Sequence, residues 1–148
     1  MYRLLAILLL LTFADVTADE PRHLLVAEFL LQRFEPANLT PAQRSEFNRL
    51  SGDLRTEIDQ LRAEAGIDKA VMSRRDEAHQ KLKVQKLEEE VYWTSLRAEA
   101  NLSDSQLAAF RTTSERYEIF KSAATALLSD EQRKIVAEAR RKAKEKAE

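Results

Sequence analysis

The apolar residues of this chain recur at helical spacing almost from end to end, and nowhere do they alternate as a half-buried strand requires. Phe47, Leu50, Leu54, Ile58, Leu61 and Ala65 lie three or four apart, the seam of an amphipathic helix packed along a neighbour. The segment before it, Pro21 to Phe34, is apolar around most of its wheel. Such a surface must be buried on more than one side or offered to a partner. Pro36 ends that first helix, because the residue before proline is pushed out of the α region. Gly66 is placed to end the second as a left-handed residue, with Asp68 as the N-cap of a third. The third runs from Lys69 to about Ala100. Its stripe begins at Val71, Ala78 and Leu82 and continues, shifted in register, through Val84, Leu87, Val91 and Ala98. As one continuous helix it extends about 48 Å at 1.5 Å per residue, which predicts an elongated shape. A fourth helix follows Ser103 and a fifth follows Ser129, the latter dissolving into a charged tail at about 140–148. The reading is an all-α fold of four to five helices in one domain, 19–148.

One short skeleton opens three of these helices: LTPAQ at 39–43, LSDSQ at 102–106 and LSDEQ at 128–132. A helix leaves its first N–H groups without intrahelical partners. The hydroxyl of Thr40, Ser103 or Ser129 is placed to accept from the third helical N–H. The amide of Gln43, Gln106 or Gln132 reaches back to the cap, which makes a capping box. Leu102 has Leu107 as a staple partner. Leu39 and Leu128 face arginines at that position and are expected to insert between helices instead.

The N-terminus changes what counts as the folded chain. Arg3, the apolar run Leu4 to Phe13 and the small residues Val16-Thr17-Ala18 read as a secretory signal peptide, 1–18, cut after Ala18. A membrane anchor is the alternative, but the run is shorter than the roughly 20 residues a spanning helix needs. With the leader cut away, no stable membrane insertion is expected. There is no cysteine, so neither a disulfide nor a thiol nucleophile is available. Secretion without disulfides points to a gram-negative-type periplasm. Charged residues make up 33% of the chain while the net charge is −1, a balance that suits solvated helices and argues against nucleic acid as a partner.

A secreted, cysteine-free helical chain with repeated Leu-Thr-x-x-Gln motifs resembles the Spy/CpxP family of bacterial periplasmic proteins, the LTxxQ-motif family. Leu39, Thr40 and Gln43 match in full; the Leu128 to Gln132 copy has serine for threonine, and the copy at 102–106 is additional to the usual two. The resemblance implies a curved, elongated helical hairpin that forms a homodimeric cradle. It also implies one of three roles: an ATP-independent periplasmic chaperone of unfolded or envelope proteins, an inhibitory partner of a sensor kinase, or a metal-responsive sensor.

The residues themselves weigh these roles unequally. Two histidines far apart and two glycines outside any phosphate loop leave no nucleophile-base pair and no cofactor site, so no enzyme is expected. His23 and His79 lack partners at helical spacing, so no metal ligands are assigned. A binding module draws on the apolar first helix, through Leu25, Phe29 and Leu30, and on the basic run Arg74, Arg75, Lys81 and Lys83, set together on a concave face. The competing class is a structural coiled-coil partner of a single envelope protein.

Overall fold

The computed structural model describes the chain from Arg22 to Lys146, with side chains described from Val26 onward. The leader at 1–18 and the side chains of His23 and Leu25 lie outside the described residues. Six α-helices and no strand appear among the described residues: α1 Arg22–Phe34, α2 Pro41–Glu64, α3 Lys69–Leu82, α4 Glu89–Ala100, α5 Asp104–Ala126 and α6 Asp130–Glu145. Short 3-10 turns, Glu35–Ala37 and Lys83–Gln85, follow α1 and α3.

The two longest helices, α2 and α5, lie antiparallel and form the spine. Gln43 near the start of α2 touches Leu127 just beyond α5, while Gln106 near the start of α5 faces Gly66 just beyond α2. Arg116 and Glu57 pair between them at 3.2 Å. At 24 and 23 residues, each helix is roughly 35 Å long at 1.5 Å per residue.

Each end of this spine has its own core. At the first, Phe47 meets Phe34 and Phe120 edge to face, with centroids 6.2 and 5.6 Å apart, and Leu30, Leu54, Ile58, Ala124 and Val136 close around them. The second gathers Val71, Ala78 and Leu82 of α3, Leu96 and Ala100 of α4, and Phe110 of α5. The seam that spacing predicts in α2 faces the first core through Phe47, Leu54 and Ile58, which are buried, and Leu50, which is half-buried.

The expected third helix from Lys69 to Ala100 is broken, which raises the helix count to six. Its stripe at Val71, Ala78 and Leu82 would continue at positions 85 and 86, but those are Gln85 and Lys86. Val84 is 74% exposed, and the next inward residue is Leu87. Lys86 turns left-handed at φ 48°, and the chain reverses so that α4 packs along α3 as a hairpin. A lysine there costs about 1–2 kcal/mol. Burying Leu96, now 1% exposed, returns about 1.5–3 kcal/mol by itself. The reversal is therefore the better solution. No long rod remains: α3 has 14 residues and α4 has 12.

Candidate functional site

All three repeated motifs are complete capping boxes. Thr40 Oγ1 accepts from the Gln43 N–H at 3.2 Å while Gln43 Oε1 accepts from the Thr40 N–H at 2.9 Å. Ser103 with Gln106 and Ser129 with Gln132 repeat the exchange. The preceding leucines, Leu39, Leu102 and Leu128, are all buried, Leu102 in the second core and the other two in the first. The motif thus fixes a helix start and anchors it in a core.

Two of the boxes are also joined to each other. Gln43 Nε2 donates to the Leu127 carbonyl at 2.7 Å and to Gln132 Oε1 at 2.8 Å. Gln132 Nε2 donates to the Ala37 carbonyl and to Gln43 Oε1, both at 3.1 Å. Every N–H of both amides is used, and each oxygen takes one bond from its own cap and one from the opposite glutamine. A fully satisfied, part-buried network of this kind is stabilising, whereas a half-satisfied one is costly. Gln43→Ala and Gln132→Ala should each cost about 1–3 kcal/mol. The double variant should lose less than the sum by about 0.5–3 kcal/mol, and strict additivity in urea unfolding would contradict the pairing.

These bonds belong to an internal repeat. Helices α1 to α3 have 13, 24 and 14 residues, and α4 to α6 have 12, 23 and 16. Gln106 corresponds to Gln43 and Phe110 to Phe47, at the same offset of 63 (106 − 43 and 110 − 47). Gln43 addresses the carbonyl two residues before the N-cap Ser129, and Gln106 addresses Gly66, two before the N-cap Asp68, at 3.5 Å. The Ala37 carbonyl receives Gln132, and the equivalent Ala100 carbonyl receives Arg74 Nε at 3.1 Å. Asn38 and Asn101 are both left-handed, at φ 48° and 49°. The sequence carries this signal in full as ANLTPAQ and ANLSDSQ, where the residues before the leucine extend the motif that marks the helix starts. Asparagine tolerates the left-handed region because its short side chain bonds locally.

The two ends differ in how they are closed. At the second, α3 and α4 seal the core, with the Arg75 guanidinium 5.1 Å from the Phe110 ring centre. At the first, the equivalent helices α6 and α1 are separated by an open groove of about 770 Å³. Its floor is Leu30, Phe34, Leu128 and Val136.

Against family models, curated proteins and solved structures, the chain finds no match.

The residues that the sequence suggested for client binding are not brought together. Phe29 on α1 is 61% exposed, but Leu30 beside it is 4% exposed, packed in the first core beneath the groove. Arg75 is buried too, stacked on Phe110 and hydrogen-bonded to Asp76 at 2.5 Å, because it falls on the same face of α3 as Val71, Ala78 and Leu82. Arg74 is spent on the Ala100 carbonyl, and Lys81 pairs with Glu99 at 3.7 Å. Lys83 is exposed in the turn after α3. The apolar α1 and basic α3 belong to different cores, so they form no shared concave face. His79 Nδ1 is 2.8 Å from the Tyr92 hydroxyl, an α3–α4 contact within the second end. Among the described residues no group of three or more histidine, aspartate or glutamate side chains converges as a metal-holding site, and no helix is long and apolar enough to cross a membrane.

Proposed function

We propose that the protein is a periplasmic, ATP-independent protein-binding module of the Spy/CpxP kind, holding unfolded or stress-exposed envelope proteins. The observation that supports this best is the pairing of Gln43 with Gln132, which ties two copies of the family's motif into one unit beside an open groove. In this reading the motifs are structural and touch no client, since their hydroxyls and amides are occupied by the caps. Binding falls instead to apolar side chains left at the surface, including Phe29, Val91 and Ile119, each at least half exposed, and to the groove. Weak, reversible burial of such side chains against an unfolded segment requires no nucleotide. The exposed apolar side chains outside the groove also serve a second copy of the chain, and the reading includes a homodimeric, curved cradle.

Residues 19–148, added at up to stoichiometric amounts, should slow the aggregation of several unrelated unfolding proteins, followed by light scattering. Suppression of none of them sinks the proposal. Suppression of a single envelope protein, with no effect on the rest, would favour a dedicated regulatory partner over a general chaperone.

A further inference from the structure

The groove between α1 and α6 is lined by charge of one sign. Its charged lining is entirely basic: Arg33 from α1, and Arg133, Arg140, Arg141 and Lys144 from α6. No carboxylate lines it, although the chain as a whole has 24 basic and 25 acidic residues. Arg133 and Arg141 have partners along their own helix, Asp130 at 3.4 Å and Glu145 at 3.6 Å. Arg33 and Arg140 make no ion pair among the described residues. Two opposed rims of one sign over an apolar floor focus a positive potential into the cleft.

The internal repeat offers a closed counterpart of this cleft. At the other end the equivalent α3 and α4 close on one another, with Lys81 of α3 and Glu99 of α4 paired across the hairpin. At the open end both facing helices contribute cations, and their mutual repulsion opposes the same closure.

We propose that this groove docks an acidic, amphipathic segment of another protein, with aspartate or glutamate side chains meeting the two rims and apolar side chains resting on the floor. The inference rests on the protein-binding reading above and names the class of segment bound and the place where it binds. Length supports a segment over a compact anion. From Arg133 to Lys144 the rim follows α6 for about 16 Å at 1.5 Å per residue, a span that several carboxylates along a chain can match. A second copy of this chain is disfavoured as occupant, because a symmetric pairing of open ends would set five cations against five. A lipid surface is also disfavoured, because the cations line a recess and not a protruding face.

The test measures binding of a fluorescent synthetic peptide of alternating leucine and glutamate blocks to residues 19–148, beside an isomer with lysine for every glutamate. The acidic peptide should bind with an affinity that falls as salt is raised, and the lysine isomer should not bind. Arg33→Glu combined with Arg140→Glu should weaken binding at least tenfold with helicity unchanged. Lys83→Glu, at the far end, should leave it as it was. Equal binding of both peptides, or equal loss in both variants, overturns the proposal. So does binding of phosphatidylglycerol vesicles, sensitive to the same double variant, in place of the peptide. If the double variant still suppresses aggregation fully and yet loses the peptide, the groove binds acidic segments but is not where general clients are held. If the parent chain binds the peptide and suppresses no aggregation, the chaperone reading fails and the groove remains.

Discussion

Leu30→Glu is expected to unfold the end of the molecule that carries α1, while Phe29→Glu, one position earlier, leaves stability within about 0.5 kcal/mol of the parent chain. The contrast comes from the helix face. Leu30 is 4% exposed among Phe34, Phe47 and their neighbours, whereas Phe29 is 61% exposed. Removing a buried leucine side chain costs about 2–5 kcal/mol. A carboxyl group in its place adds the cost of burying a polar or charged group without a partner, about 1–3 kcal/mol even when it takes up a proton. The sum approaches the 5–15 kcal/mol that holds a typical domain together. Urea unfolding followed by circular dichroism reads both variants, and equal midpoints for the two would contradict the placement of α1. Phe29→Glu is then the variant suited to an aggregation assay, because it removes surface apolarity without disturbing the core.

Phe47→Ala should cost about 3–5 kcal/mol, the range for emptying a buried aromatic site. Its ring is 2% exposed and is the link between Phe34 and Phe120, so its loss separates α1 from α5 as well as leaving a void. Because the second core shares none of these residues, the damage is expected to be local at first. Amide hydrogen exchange should accelerate in α1 and α6 well before α3 and α4. A uniform acceleration across all six helices would show that the two cores unfold as one unit.

Much of this architecture is written locally. The three capping boxes, the Asp68 cap and the terminators Pro36 and Gly66 all lie within a few residues of the backbone groups they satisfy, so a sequence displays them openly. The break at Lys83 to Glu88 has no glycine or proline to announce it. Its only trace is a stripe that falls out of register after Leu82, and the reversal is decided by burial of Leu96 in the hairpin. The candidate site was less legible for the same reason. Arg75 belongs to a basic run in sequence but is stacked on Phe110 from another helix, and the amides of Gln43 and Gln132 meet across 89 positions. The groove is assembled from both ends of the described chain, so no local pattern outlines it.

The correspondence of α1–α3 with α4–α6 also says what kind of object the chain is. Topologically it is a pair of three-helix units lying head to tail, with each unit's central helix pressed antiparallel against the other's. Residues 83–88 are the single covalent join between them. The pseudo-twofold axis crosses the spine between α2 and α5, and only one side of that axis has a linker to hold its outer helices together. The outer ends of α1 and α6, at Arg22 and Glu145, belong to the other side, which makes the mouth of the groove the place where the symmetry of the protein is broken.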